Sequence, residues 1–156
     1  VAKELPDVKF IWVGGIPFKN LGADHKHMQN LMDTAPSNVT VTGVIELDQV
    51  RQYLASANAF MLPSDQENHP LAMLEAAASE LPIVVRDIPQ YDSAFGNDVL
   101  RGTDGTFASI IKRLQQESKY YNDAVKGSKL IAKRFDTPNA GLELYKIYTD
   151  LVEGSR

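Results

Sequence analysis

The sequence contains no cysteine, so disulfide bridges and thiolate metal sites are excluded. Its net charge is −4 and lysine and arginine form no block, which argues against a nucleic-acid-binding surface. No apolar run approaches the roughly 18 residues of a membrane-spanning helix. The glycine patterns of nicotinamide-binding and P-loop domains and the Gly-x-Ser-x-Gly elbow of serine hydrolases are also missing. What remains is an ordinary globular composition, 44% hydrophobic and 23% charged.

The length of the chain limits how many domains it can form. With 156 residues the chain can form one domain with a hydrophobic core. It begins at Val1 without an initiator methionine and enters a predicted strand almost at once. We therefore expect a fragment of a longer protein, and a processed or tag-cleaved complete domain is the alternative.

Short apolar runs alternate with segments of helical periodicity along the chain. The predicted strands are residues 9–14, 38–42, 59–62 and 83–85, with a further short one near 98–100. The predicted helices are residues 22–35, 47–57, 70–80, 106–116, 119–134 and 138–153. This alternation predicts an α/β fold, a Rossmann-like, doubly wound parallel sheet with helices on both faces and a helical C-terminus.

Ligands of such sheets gather at the carboxyl ends of the strands. Here those ends are Gly14-Gly15, Gly43, Pro63-Ser64 and Arg86-Asp87. Glycine and serine let a ligand approach the backbone closely, so three of the four ends suit a binding crevice.

Two glutamates, Glu67 and Glu75, lie eight residues apart where the third strand turns into an apolar helix. Pro70 fits the first turn of that helix, whose free N–H groups and positive dipole end suit a phosphate. A helix apolar on nearly all sides is expected inside a domain, where a glutamate needs a partner. Carboxylates on either side of a phosphate site are suited to accept hydrogen bonds from sugar hydroxyls.

Each of these residues also has a structural explanation. Glu67 is equally explained as a solvated acid near a helix start, and Glu75 as the ion-pair partner of a neighbouring lysine or arginine. His69 taken alone is best explained as an exposed loop residue. His25 and His27 lie in a polar helical stretch and are expected to be solvated, so we predict no metal site.

The segment from Pro63-Ser64 through Glu67 to Glu75-Ala76 resembles the Glu-x7-Glu signature of retaining glycosyltransferases of family four. Those enzymes have the GT-B fold, in which the active site lies between two Rossmann-like domains. Residues 6–15, 39–53 and 81–87 resemble neighbouring strands and helices of the donor-binding domain, so the resemblance covers essentially the whole chain.

The resemblance implies a role for each site residue. Glu67 would contact hydroxyls of the transferred sugar and Glu75 the ribose hydroxyls of the nucleotide. Backbone N–H groups would hold the sugar and pyrophosphate, and Gly43 and Val44 would lie against the base. The expected donor-binding residues are Gly14, Gly15, Gly43, Val44, Ser64, Glu67, Asn68, His69, Leu71 and Glu75, with Glu67 as the catalytic residue. No metal or other cofactor is implied, and the default donor is UDP-glucose.

Two departures from the family pattern stand out. Asn68-His69-Pro70 replaces the usual Gly-Phe-Gly after the first acid. The domain's first strand, the phosphate-gripping arginine and lysine, and the acceptor domain are expected upstream of residue 1. Residues 1–156 would then be a single nucleotide-sugar-binding domain that partners its own N-terminal acceptor domain and, alone, is inactive and binds donor weakly.

The acceptor is less constrained than the donor. The Asn68 to Glu75 segment resembles glycolipid-forming enzymes of Gram-positive bacteria, which implies diacylglycerol, or else a cell-surface glycan, as acceptor. The expected location is the cytoplasm, including the inner face of the membrane. The alternatives are a nucleotide-sugar epimerase of GT-B-like fold and a non-catalytic sugar-nucleotide-binding module. A flavodoxin-like receiver domain is disfavoured because glycine, proline and serine stand where its acids would lie.

Overall fold

The computed structural model describes residues 1–15 and 25–154, with the side chains of the first helix described from Gln29 onward. The strands are β1 (Phe10–Trp12), β2 (Val39–Val41), β3 (Phe60–Leu62), β4 (Ile83–Arg86) and β5 (Leu100–Gly102). The helices are α1 (His25–Asp33), α2 (Leu47–Ser56), α3 (Leu71–Ala78), α4 (Phe107–Gln116), α5 (Ser118–Arg134) and α6 (Thr137–Glu153). The predicted elements are all present, although the strand expected near residues 98–100 lies two residues later.

The strands are parallel, as predicted, but they are divided between two sheets. β1 pairs with β2, with Phe10 opposite Val39, and the second sheet has the order β3-β4-β5. Within the described ranges β1 and β3 share no ladder, and the side chains of Ile11 and Trp12 are 40% and 52% exposed. The parallel α/β architecture is therefore confirmed, whereas the one continuous sheet that the pattern predicted is not formed by these residues.

Helices cover both faces of the second sheet, as expected. Ile83 and Val85 belong to a buried cluster that includes Met73 of α3 and residues of α5. Val84 lies in a second buried cluster with Phe107 of α4. Successive side chains of a strand point to opposite faces, so this alternation places β4 between two layers of helices. Each such buried side chain stabilises the fold by about 1.5–3 kcal/mol.

Small and polar groups fix α5 against the sheet. A Cβ placed at Gly127 would lie 2.2 Å from the carbonyl oxygen of Asp98, so the helix touches this backbone directly. The buried hydroxyl of Ser128 donates to the carbonyl of Leu81. Two turns further on, Arg134 donates to the carboxylate of Asp98 at 2.6 Å. The segment before β5 and helix α5 are thus held together at several points.

Helix α6 begins where the sequence predicted. The side chain of Asp136 accepts a hydrogen bond from the N–H of Asn139 at 2.8 Å, and Pro138 lies in the first turn. Its large apolar side chains are exposed, from 51% at Leu144 to 71% at Tyr145. No helix in the part of the chain that the structure describes is long and apolar enough to cross a membrane.

Candidate functional site

The loop between β3 and α3 forms the centre of the predicted site. Pro70 adopts an extended conformation and precedes the helix as its N-cap, without a capping side-chain bond. The N–H groups of Leu71 and Ala72 find no acceptor among the described residues. Free N–H groups at a helix start attract anions, so the start of α3 is able to accept one.

The two glutamates of the motif are placed differently from each other. Glu67 is half-buried in the loop, whereas Glu75 is exposed. The expectation that α3 is surrounded by protein is wrong, because only Met73, Ala76 and Ala77 are buried while Leu71 is 70% exposed. Neither glutamate forms an ion pair or a side-chain hydrogen bond within residues 1–15 and 25–154. Both carboxylates are therefore open to a ligand.

The imidazole of His69 packs among aromatic rings. Its centroid lies 5.8 Å from the ring of Phe95 in a stacked arrangement and 5.1 Å from Phe135 in an edge arrangement. His69 is exposed, as expected for this residue taken alone, but the sequence analysis did not single out its contacts with Phe95 and Phe135. No local signal predicts the contact, because the three rings come from distant parts of the chain. The packing fixes the end of the loop just before α3.

Tyr91 is a further residue that the sequence analysis missed. Its side chain is buried and its hydroxyl has no hydrogen-bond partner among the described residues. Burial raises the pKa of Tyr91, and the negative charge of Glu67 raises it further. Tyr91 and Glu67 are thus close enough to interact electrostatically.

We expect Tyr91→Phe to increase the free energy of unfolding by about 1 kcal/mol, because the substitution removes a buried hydroxyl without a partner. A raised pKa means that the folded protein holds this proton longer than the unfolded chain. The stability that comes from retaining this proton is therefore fully present below about pH 10, the ordinary pKa of an unfolded tyrosine, and is lost as the pH rises through the pKa of Tyr91 in the folded protein. Tyr91→Phe has no such group and should not show this loss of stability. Urea unfolding at neutral and alkaline pH measures both effects. A less stable variant at neutral pH would contradict the prediction.

The glycines predicted at the first two strand ends meet each other. Gly14 and Gly43 form an antiparallel bridge, and the N–H of Gly14 donates to the hydroxyl of Thr42 at 3.1 Å. A Cβ at Gly15 would lie 2.8 Å from the Cα of Gly43. The two backbone segments come so close here that position 15 requires glycine. Val44, at the tip of this turn, is 70% exposed. These four residues lie beyond the sheet of β1 and β2.

The remaining predicted residues belong to the other sheet. Ser64 is half-buried directly after β3, and Asn68 is exposed beside His69. The structure therefore gathers the predicted site residues into two groups, one at the end of each sheet. The side chains of His25 and His27 lie outside the described residues. A groove of about 410 Å³ between residues 4–8 and α4 is lined by none of the predicted donor-binding residues.

Two arginines lie within the last two residues of neighbouring strands: Arg86 is the last residue of β4, and Arg101 is the middle residue of β5. Arg86 pairs with Asp65 and Asp104, and Arg101 pairs with Asp87 and Asp92. Both cations at this edge of the described chain are thus neutralised by carboxylates. Among the described residues at this edge, the free N–H groups at the start of α3 therefore provide the positive potential that attracts an anion.

Comparison with known proteins identifies relatives. Residues 1–117 match the family described as Glycosyl transferases group 1. Alpha-galactosylglucosyldiacylglycerol synthase of Streptococcus pneumoniae is 37% identical over 91 residues, which cover 58% of this chain and 24% of that protein. Processive diacylglycerol alpha-glucosyltransferase of Acholeplasma laidlawii is 30% identical over 122 residues, which cover 76% of this chain and 36% of that protein. The chain thus spans well under half the length of either relative.

A solved structure has the same fold. The pneumococcal O-GlcNAc transferase GtfA, in complex with UDP and GlcNAc, superimposes with a TM-score of 0.63 and 22% identity. The match covers 98% of this chain and 30% of that one. The predicted α/β class, as one part of a larger glycosyltransferase architecture, agrees with this similarity.

Proposed function

Because the chain belongs to the group 1 glycosyl transferases, we propose that it is the donor-binding domain of a retaining hexosyltransferase. The donor in this proposal is UDP-glucose, and the rest of the enzyme supplies the acceptor site. The observation that carries the proposal is the pair Glu67 and Glu75, which lie on either side of the start of α3 and have no ion-pair partner within the described chain. Such a pair fits a ligand with a phosphate between two sets of hydroxyls.

Each part of the donor has a counterpart in this arrangement. The free N–H groups at the start of α3 face the diphosphate, and the carboxylate of Glu67 accepts hydrogen bonds from the sugar hydroxyls. Glu75 accepts hydrogen bonds from the ribose. Gly43 and Val44, at the end of the other sheet, lie against the base.

In the proposed reaction the bond between the anomeric carbon and the diphosphate oxygen breaks, and a bond to the acceptor oxygen forms on the same face. The acceptor proton passes to the departing diphosphate. Among the described residues, Arg86 and Arg101 at this edge are paired with carboxylates, so in this proposal the further positive charge that the leaving group needs comes from residues outside the described part of the protein. The mechanism uses no metal ion.

The proposed acceptor is diacylglycerol or a glycosylated diacylglycerol. The names of the two relatives at 37% and 30% identity support this choice, since both refer to diacylglycerol products or substrates. An enzyme with such an acceptor would work from the cytoplasm at the inner face of the membrane.

A titration of donors tests the proposal. We expect the natural protein that contains this chain to bind UDP-glucose saturably, and to bind UDP-GlcNAc and GDP-mannose more weakly, by isothermal calorimetry. Glu75→Gln should weaken the binding of UDP-glucose by about tenfold, because the ribose hydroxyls lose a charged acceptor. The melting temperature should not change, since Glu75 is exposed and forms no ion pair in the described chain.

Glu143 on α6 provides the matched control, since it is also an exposed helical glutamate without a described ion pair. Glu143→Gln should bind UDP-glucose like the wild type. Absence of binding to any of the three donors, together with a loss of stability in Glu75→Gln, would show that Glu75 has a structural role and would refute the proposal.

A further inference from the structure

The loop of residues 63–69 carries Glu67 but has few bonds to the rest of the protein. None of its backbone N–H groups finds an acceptor in the described part of the chain, and Pro63 has no N–H. The loop is fastened at two points. At its end the ring of His69 packs on Phe95 and Phe135, and at its start the guanidinium of Arg86 binds it.

Arg86 is the last residue of β4, and its side chain reaches both neighbouring strand ends. Its Nε–H donates to the carbonyl of Pro63 at 2.7 Å and lies 2.8 Å from the carboxylate of Asp65. Its Nη2 donates to Asp104 at 2.9 Å, in the turn between β5 and α4. The guanidinium also lies over the ring of Phe107, 5.5 Å from its centroid. We call these contacts the Arg86 anchor.

The guanidinium of the anchor is less exposed than the carboxylates that it binds. The side chain of Arg86 is only 19% exposed, whereas those of Asp65 and Asp104 are 88% and 86% exposed. The hydrogen bond to Asp104 raises the pKa of Arg86, and an arginine is charged at every physiological pH in any case. A planar guanidinium can hold acceptors on two sides at fixed angles, which a lysine cannot.

We propose that Arg86 is a positioning residue for the donor site: it holds Pro63 and Asp65 in place and so fixes Glu67, two residues further on, at the start of α3. This inference rests on the proposed function for its effect on donor binding. Its effect on the order of the loop is independent of any ligand. The sequence motif does not include Arg86, which acts from the neighbouring strand.

The test is Arg86→Met in the natural protein, because methionine keeps apolar contact with Phe107 and removes the hydrogen bonds. We expect the backbone NMR order parameters of residues 64–68 to fall, without ligand, from about 0.85 to below about 0.6. We also expect the KM for the donor to rise about tenfold while the KM for the acceptor stays unchanged. Arg86→Lys should recover only part of the loss, since it restores the charge without the two-sided geometry. A purely structural role would lower the active fraction and shift neither KM.

Asp65→Asn provides a second variant that cannot unfold the domain, because Asp65 is 88% exposed. It should lower the order parameters of the same residues. Arg113→Met is the matched control: Arg113 also binds a carboxylate, that of Glu117 at 2.9 Å, and lies 3.9 Å from the ring centroid of Tyr120, but it does not contact the loop. It should leave both the order parameters of the loop and the donor KM unchanged.

The two proposals fail in different ways. Lower order parameters of the loop in Arg86→Met, with no donor binding by the wild type, would support the anchor and refute the proposed function. Donor binding by the wild type, with unchanged loop order parameters and donor KM in Arg86→Met, would refute the anchor alone. Equal changes in Arg86→Met and Arg113→Met would also refute it.

Discussion

Replacement of Glu67 by glutamine should lower the kcat of sugar transfer by about two to three orders of magnitude. Glu67 is half-buried and has no ion-pair partner among the described residues, so its negative charge is available to interact with a ligand. Hydrogen bonds from sugar hydroxyls to a carboxylate are about twice as strong as those to a neutral acceptor. Glutamine keeps the size of the side chain but loses the charge. Product formation at saturating donor and acceptor measures the effect in the natural protein.

The stability of the Glu67→Gln variant should equal that of the wild type, because no described hydrogen bond is lost. Gln66→Ala is the local control, since Gln66 is the exposed neighbour in the same loop and makes no described hydrogen bond. It should retain kcat within about threefold. If Glu67→Gln also retained kcat within that range, Glu67 would not be the catalytic residue and its half-burial would need another explanation.

The second large effect concerns the fold. Gly127→Ala should lower the free energy of unfolding by about 3 kcal/mol or more. The new Cβ would lie 2.2 Å from the carbonyl oxygen of Asp98 and 2.9 Å from its carbonyl carbon. Both are backbone atoms, and Asp98 is also held by Arg134, so the neighbour cannot move aside cheaply. Urea unfolding of the 156-residue chain measures the change.

Gly141 provides the contrasting substitution. It is also a glycine inside a helix, α6, but a Cβ there would meet nothing within 4 Å. Gly141→Ala should therefore stabilise the protein by about 0.5–1 kcal/mol, since alanine loses less backbone entropy in a helix. An equal loss of stability in Gly127→Ala and Gly141→Ala would contradict the prediction. It would mean that the contact at Asp98 is not tight enough to distinguish the two positions and that alanine does not stabilise α6.

The sequence alone determined the class of the fold and most of its elements. Apolar runs such as residues 59–62, ended by proline or glycine, and helical periods between them are local signals, so strands and helices could be placed within a few residues. The start of α6 at Asp136 was predicted for the same reason, because a cap acts on the next three residues. Glu75 was also visible, as the only charge in an apolar stretch, and Glu67 was found through its spacing of eight residues from Glu75.

Only the tertiary structure decided what surrounds those residues. The one-sided burial of α3 and the division of the strands between two sheets depend on which segments meet, which a local pattern does not specify. Arg86 binds Pro63 from 23 positions away and Asp104 from 18, and His69 packs on Phe135 at the end of α5. Periodicity reports which face of an element is apolar. Partners distant in the chain are fixed by packing geometry, and the contacts that fasten the loop of Glu67 come from such partners.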